Sequence, residues 1–320
     1  MATVSREHDD VTGTRRATSA FVVLNPKSGG CDSGEARRTL ERHLSVVGVA
    51  CRVHEPSHGE PLLDRVAEAV ASGCDMVVAA GGDGTVSAVA DALTGTETPL
   101  GIVPLGTANV LAGELGVPLD LEAACALLAG QHALTRIDAM ELGGKHYVTQ
   151  VGVGLDAEMI RDTSGEHKRR FGRVAYLWTA ATRLAGVQPR RFTLTVDGRT
   201  TYPRAMQVLI ANSGTLGSRP FRWGPDIRPD DGRLDVCVIR AQTLLDFLRI
   251  GWHFVRGQHR RSPGVRYLVA TRSITLATRK PMPVQADGEI VGETPVTVTV
   301  VPGAVRVVVP PPGAGAPHPA

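Results

Sequence analysis

The sequence predicts an α/β fold in two parts: a doubly wound parallel-sheet domain followed by an antiparallel β-sandwich domain. Three features of the 320 residues carry this prediction. From residue 20 to about 130, short apolar runs alternate with amphipathic helical patterns. After about 134 the texture becomes short β-branched runs bounded by Gly, Pro, Asn or Asp. Glycine-rich turns stand at the ends of successive strands of the first part.

The elements follow in order. "AFVVLN" (20–25) reads as a buried strand. "SGEARRTLERHLSVVG" (33–48) reads as an amphipathic helix with Ser33 as its N-cap and Gly48 as its stop. "VACRVHE" (49–55) is a strand and "EPLLDRVAEAVASG" (60–73) a helix. "DMVVAA" runs into the turn "GGDGT" and the helix "TVSAVADAL". "PLGIVPL" is the next strand, and a helical stretch opens at Thr107. Strand–helix alternation with short turns implies right-handed crossovers and a parallel sheet with helices on both faces. In the second part, "KHYVTQVGVG", "RFTLTVDG", "AMQVLIAN", "RLDVCVIR", "YLVATRSITLAT" and "TPVTVTVVPGAVRVVVP" read as strands, with helical stretches near 171–185 and 243–257. The expected division is an N-terminal tail (1–17) without structure, an α/β nucleotide domain (18–134), a β-rich substrate domain (135–310), and a Pro/Gly/Ala-rich C-terminal tail (311–320).

Composition narrows the function classes. Five cysteines (Cys31, Cys51, Cys74, Cys125, Cys237) are dispersed without a C-x-x-C pair, which argues against a disulfide framework or a zinc site and fits a reducing cytosol. The N-terminus lacks the apolar core of a secretory signal, and no run approaches the ~18 apolar residues of a spanning helix. The expected location is cytoplasmic, with transient contact at the inner membrane face. The net charge of +3 is uneven. Residues 249–280 carry eight Lys/Arg and no acid, and residues 161–191 carry eight against two acids. Such clusters face an anionic partner or are solvated loops. A nucleic-acid role has no accompanying motif.

A strand ending in glycines and opening a helix suits phosphate, because the backbone can come close and the helix N-terminus offers N–H groups. The pattern recurs in "VVLNPKSGG" (22–30), "VVAAGGDGT" (77–85) and "GIVPLGTANV" (101–110). In a doubly wound sheet these turns share one edge and line one crevice. Asp83 among Gly81, Gly82 and Gly84 would repel phosphate unless a cation intervened, so Mg²⁺ is inferred between them. Lys27 faces phosphate or solvent; the residues alone decide neither.

"NPKSGG", "GGDGT", "PLGTAN" and "DGE" together resemble the diacylglycerol kinase catalytic-domain family, which includes bacterial lipid kinases and the sphingosine and ceramide kinases. "TQVGVGLDAEM", "PDIRPDDGRLDV" and "VQADGEIVGETPVTVTVVPGAVRVVVP" extend the resemblance over residues 20 to 309. It implies an ATP- and Mg²⁺-dependent lipid kinase acting on a diacylglycerol-like or sphingoid hydroxyl, with the active site in the cleft between the two domains. By the same resemblance, nucleotide contacts fall on Asn25, Pro26, Lys27, Ser28 and Gly29, on Gly81, Gly82, Asp83, Gly84, Thr85, Val86 and Ser87, on Thr107, and by a looser match on Ser57. A structural metal would use Asp231 and backbone carbonyls near Arg228 and Arg233. Glu289 would be the base that accepts the alcohol proton, with Asp287 as second choice and Asp83 completing the catalytic acids. Relatives often continue the third loop as "GTxNDFAR", whereas this chain has Val110 in place of the aspartate. The rivals are an NAD kinase-like phosphotransferase, against which stands the absence of an Asn-Glu dipeptide, and a non-catalytic nucleotide- or lipid-binding regulator. The lipid partner sits at an anionic membrane surface; the sequence leaves the oligomeric state open, a homodimer included. "DFLRIGWHFVRGQHRR" (246–261) and "HKRRFGR" (167–173) are the expected membrane-facing segments.

Overall fold

In the computed structural model, residues 17–26, 32–57, 60–162, 189–215, 222–224, 226–241 and 243–313 are described. Lys27, Ser28 and Gly29, the basic run 167–173, the helical stretch expected at 171–185, residues 1–16 of the N-terminal tail and residues 314–320 of the C-terminal tail lie outside them.

The first part begins with β1 (Ser19–Leu24), α1 (Ser33–Val46), β2 (Ala50–His54), α2 (Leu62–Ala71), β3 (Met76–Gly81), α3 (Asp83–Leu93), β4 (Leu100–Pro104), α4 (Val110–Glu114) and α5 (Leu121–Ala129). The strands are parallel in the order β4-β3-β1-β2. Every residue of β3 and β4 is buried, which is why they read as unbroken apolar runs rather than alternating ones. Residues from α2, α3 and α4 (Val66, Val89, Leu111) close one face of the sheet. Residues from α1 and α5 (Leu40, Leu44, Leu128) close the other. Two helix starts differ from the sequence reading. Asp32, not Ser33, caps α1, because its extended backbone lets its carboxylate accept from Gly34 N–H at 3.2 Å. The helix expected from Thr107 starts at Val110, because Asn109 sits in the left-handed region at φ 49°, outside helical geometry.

The second part comprises β5 (Ala133–Leu142), β6 (Lys145–Tyr147), β7 (Gln150–Gly154), α6 (Leu155–Asp162), β8 (Arg190–Val196), β9 (Arg199–Thr201), β10 (Arg204–Ala205), β11 (Gln207–Ala211), β12 (Leu234–Ile239), α7 (Leu244–Val255), β13 (Val265–Ala270), β14 (Ser273–Thr278), β15 (Pro283–Ala286), β16 (Glu289–Glu293) and β17 (Val296–Val309). A six-stranded sheet, β13-β12-β11-β7-β15-β16, packs one face against β8, β14, β5 and the first half of β17. Val151, Val208, Val236 and Val284 meet Phe192, Leu194, Ile274 and Val298 across this core. The alternate residues Leu209, Cys237 and Ile239 face outward and are covered by Ile250 and Phe254 of α7.

β17 is the strand that joins the two parts. Its pairing with β5 shifts register between Val301 and Val305, around Pro302 and Gly303. Beyond the shift, Ala304, Val305 and Val307 enter the core of the first part, and Val307 pairs with Leu100 of β4 in parallel. The large sheet is therefore continuous through β10-β8-β14-β17-β4-β3-β1-β2. The chain after residue 134 thus supplies core to the domain before it, and this fixes how the two meet.

One buried acid gives a pH-dependent stability. Burial raises the Asp156 carboxyl to about 6, opposed by a 2.9 Å hydrogen bond from Gln285 Nε2 and a 2.7 Å one from Ala157 N–H. A Cβ on Gly152 would lie 2.0 Å from Asp156 Oδ2, so glycine is required there. A folded-state pKa above the unfolded value favours folding while the group is protonated. That contribution is full below about pH 4 and is lost as pH rises through about 6. Asparagine can accept from only one of the Gln285 and Ala157 donors, a cost independent of pH. Beyond that fixed cost, the stability of Asp156→Asn relative to the original is expected to rise by about 2 kcal/mol from pH 4 to pH 8, read from urea unfolding at both pH values. A difference between the two proteins that does not change with pH would contradict the assignment.

Candidate active site

The turns singled out in the sequence converge at the carboxyl edge of the parallel sheet. Asn25 follows β1, donates its N–H to the Ala80 carbonyl at 2.9 Å, and places Nδ2 3.0 Å from Thr85 Oγ1. Gly81 ends β3, where a Cβ would lie 2.5 Å from Thr85 Oγ1. Gly82 is the N-cap of α3, and the first turn of a helix leaves N–H groups without intrahelical partners. Thr85 and Ser87 are buried in that turn, while Gly84 is exposed. Val86, expected among the nucleotide contacts, is turned away. Its side chain belongs to the core and its N–H is spent on the Gly82 carbonyl at 3.1 Å. Thr107 is exposed at the end of β4. Ser57 is also exposed, beyond the edge strand β2, with its N–H on Glu60 Oε2 at 2.9 Å. Pro26 is the last described residue before the gap that holds Lys27, Ser28 and Gly29.

The second and third turns are locked together by backbone contact. Asn109 Oδ1 accepts from Gly106 N–H at 3.0 Å and its Nδ2 donates to the Gly106 carbonyl at 2.9 Å, closing the loop on itself. A Cβ on Gly106 would fall 2.5 Å from Gly82 Cα and 2.8 Å from Asn109 Oδ1. Gly106→Ala is therefore expected to destabilise the protein by about 2 kcal/mol, as overpacking against backbone does. Urea unfolding checks this; an alanine variant matching the original would show that the loops are not in contact.

Asp83 is built into this junction. Its Oδ1 accepts from Val110 N–H at 2.6 Å and its Oδ2 from Asn109 N–H at 3.0 Å. The backbone of residue 110 thus serves the carboxylate although its side chain is valine. Burial raises the Asp83 pKa, the two N–H groups pull it down, and nearby Asp287 pushes it up again. A buried acid raised by a second acid is a site that gains from a cation.

Asp287 reaches the same place from the other domain. It sits with Gly288 at the tip of the β15–β16 hairpin, at φ 45° and 90° respectively, the two-residue turn that Asp-Gly favours. Oδ2 accepts from Ser87 Oγ at 2.6 Å and Val148 N–H at 3.0 Å. Oδ1 accepts from Thr149 N–H, Thr149 Oγ1 and Gln150 N–H, at 3.1, 2.5 and 2.9 Å. The Ser87 bond joins α3 to the hairpin across the domain junction. Glu289, two residues on, is exposed and has no hydrogen-bond or ion-pair partner among the described residues. Tyr147 stands nearby: burial raises its pKa, and Asp287, Asp91 and Glu289 add to the rise.

Three features of the site had no signal in the sequence. Glu114 of α4 accepts from Arg222 Nη2 at 2.8 Å, Thr215 Oγ1 at 2.6 Å and Thr215 N–H at 3.0 Å, a second clasp between the domains. Asn212, fully buried, donates to the carbonyls of Asp138 and Val148. Asp138 accepts from Gly232 and Gly303 N–H at 2.7 and 2.8 Å, tying the expected metal turn to the kink in β17. None lies within a recognisable motif, and each partner is distant in sequence.

At that turn, Arg228 pairs with Asp230 and Arg233 with Asp231 Oδ2 at 2.8 Å. Asp231 Oδ1 is buried without a hydrogen-bond partner in the described structure. No group of three or more His, Cys, Asp or Glu side chains able to hold a metal occurs among the described residues. An orphaned carboxylate oxygen beside a turn nevertheless fits a cation held mainly by backbone carbonyls.

Comparison with known proteins agrees with both halves of this architecture. Residues 19–142 match the diacylglycerol kinase catalytic domain, and residues 149–309 match the YegS C-terminal NAD kinase beta sandwich-like domain. A diacylglycerol kinase of Mycobacterium tuberculosis is 30% identical over 305 residues, covering 90% of this chain and 94% of its own. A probable YegS-like lipid kinase of Stenotrophomonas maltophilia is 31% identical over 321 aligned positions, covering 90% and 95%. The crystal structure of a putative diacylglycerol kinase from Bacillus anthracis superposes with a TM-score of 0.80 at 22% identity, covering 95% of this chain and 99% of that one, a likeness of fold. With a glycine turn, its buried aspartate and the facing Asp-Gly-Glu hairpin in one junction, the chain belongs to the diacylglycerol kinase catalytic-domain family of lipid kinases.

Proposed function

We propose that the chain transfers the γ-phosphate of ATP to a hydroxyl of a membrane lipid of the diacylglycerol or sphingoid kind. The observation that carries this reading is the Ser87–Asp287 hydrogen bond of 2.6 Å, which sets the helix N-terminus after the glycine turn against the Asp-Gly-Glu hairpin of the other domain. Phosphate would rest at the first turn of α3 and the loop of Gly106 and Thr107, with Asn25 holding Thr85 in place. Asp83 is the residue that would hold Mg²⁺, directly or through water; the ion would neutralise charge on the transferred phosphoryl group. The carboxylate fits this task, because each oxygen accepts a single N–H from the 109–110 backbone and keeps acceptor capacity. Asp231 would hold a second, structural cation through its orphaned Oδ1.

The roles of the two hairpin acids separate on geometry. Asp287 is saturated by five donors, so it positions the hairpin. Glu289 is free to accept the proton of the acceptor hydroxyl as it attacks. No helix among the described residues is long and apolar enough to cross a membrane, so the lipid is met at a surface. An anionic inner leaflet suits the basic segment from 249 to 280.

The test is transfer of label from γ-labelled ATP, with Mg²⁺, to diacylglycerol or sphingosine in mixed micelles, with NAD as a parallel acceptor. Label is expected on a lipid. Label on NAD alone would favour a dinucleotide kinase, and label on no acceptor a regulator; either overturns the proposal.

A further inference from the structure

Outside the catalytic junction, α7 presents a stripe that the core does not use. Leu245, Arg249, Trp252 and Arg256 recur at helical spacing and are all exposed, Leu245 at 71% and Trp252 at 57%. The opposite side of the helix, with Ile250 and Phe254, covers the six-stranded sheet. The Arg256 guanidinium lies 4.2 Å from the Trp252 ring centre. Thr243 and Asp246 form a capping box that fixes the helix start.

Beside this stripe, between α7 and the loop of Ser262 to Gly264, is a cavity of 260 Å³. Arg240 and Arg249 stand on its rim, and neither has an ion-pair partner among the described residues. Ser262 lines it and is only 3% exposed, yet its Oγ has no hydrogen-bond partner. Asp246 also lines it, with Oδ2 accepting from Thr243 N–H at 2.9 Å. Gly264 lets Ile250 pack against the loop, since a Cβ there would fall 2.7 Å from Ile250 Cδ1. A buried hydroxyl without a partner is costly, and two arginines lining the same cavity favour an oxyanion there.

We infer that this cavity holds the phosphate of an anionic phospholipid while Leu245 and Trp252 enter the bilayer surface, making α7 a docking site separate from the catalytic junction. The adjacency of cationic cavity and exposed apolar stripe selects the occupant. A soluble phosphate would satisfy Ser262 and the arginines but would leave Leu245 and Trp252 in water. A bilayer of anionic lipid answers both at once. The inference rests on the lipid-kinase reading only in that such an enzyme must reach a membrane; docking itself is measured without turnover.

The experiment is vesicle sedimentation of the full chain, without nucleotide, on phosphatidylcholine alone and on phosphatidylcholine with phosphatidylglycerol. The protein should prefer the anionic vesicles. Arg240→Gln and Arg249→Gln should each weaken that binding about fivefold. Ser262→Ala, which changes no charge, should weaken it about tenfold and leave neutral-vesicle binding alone. Trp252→Ala should weaken both. Thermal melts of the four variants monitor the fold. Ser262→Ala sedimenting like the original would overturn the cavity and leave plain surface attraction. Glycerol phosphate binding in solution as tightly as the vesicles would assign the site to a soluble anion instead. Either result can occur whether or not a lipid is phosphorylated in the acceptor panel, so the two readings fail separately.

Discussion

Asp287→Asn is expected to lower the stability of the whole chain by about 3 kcal/mol and to take activity with it. The substitution spares the turn, because asparagine tolerates the left-handed conformation that residue 287 adopts at φ 45°. What it removes is one acceptor oxygen from a set of five donors. If the amide oxygen keeps the Thr149 and Gln150 donors, the amide nitrogen faces Val148 N–H and Ser87 Oγ. The serine hydroxyl can rotate and accept. The Val148 N–H cannot, and a buried backbone donor left unmet costs about 1–3 kcal/mol. Loss of a full negative charge among three backbone N–H groups adds to that. The effect should persist with no nucleotide present, because every partner is protein. Urea unfolding of both proteins decides it. A variant within about 0.5 kcal/mol of the original, the range of ordinary surface changes, would mean that Asp287 is not the clasp described here.

The parallel half of the fold was legible because its elements carry local signals. β3 and β4 are unbroken apolar runs, Gly81 and Gly82 mark the turn between strand and helix, and α1 shows its buried stripe at Ala36, Leu40 and Leu44. The site residues on that edge follow from topology: once the strands are parallel, their turns share one side. The exceptions were decided by geometry. Asp32 outcompeted Ser33 as a cap because its side chain reaches Gly34, and helical periodicity turns the Val86 side chain into the core. The clasps between domains were illegible for a different reason. Ser87 and Asp287 are 200 positions apart, and Glu114 and Arg222 are 108 apart. Such pairs leave no periodic trace and depend on how β17 returns to β4 after the sandwich is complete. The sequence named Glu289 as the base and Asp287 as second choice without showing where either side chain stands. The structure puts Asp287 at a hairpin tip and Glu289 at the start of the edge strand β16, which is what separates a tethered acid from an available one.

That separation makes the second expectation the reverse of the first. Glu289→Gln should leave stability unchanged to within about 0.5 kcal/mol, because the side chain is exposed and makes no hydrogen bond with the described residues. Its kcat should nevertheless fall by about 10² to 10⁴, the range that a positioned general base contributes. Glutamine keeps the size and polarity of the side chain but cannot take a proton, so binding terms should survive: KM for ATP should change little while kcat falls. A fall in kcat at unchanged KM and unchanged stability is the readout that a structural role would not give. Asp287→Asn cannot reproduce this pattern, since its loss is of fold. If Glu289→Gln instead retains kcat within tenfold, proton removal does not depend on this residue. The acceptor hydroxyl then surrenders its proton elsewhere, and five saturated hydrogen bonds make Asp287 a poor substitute.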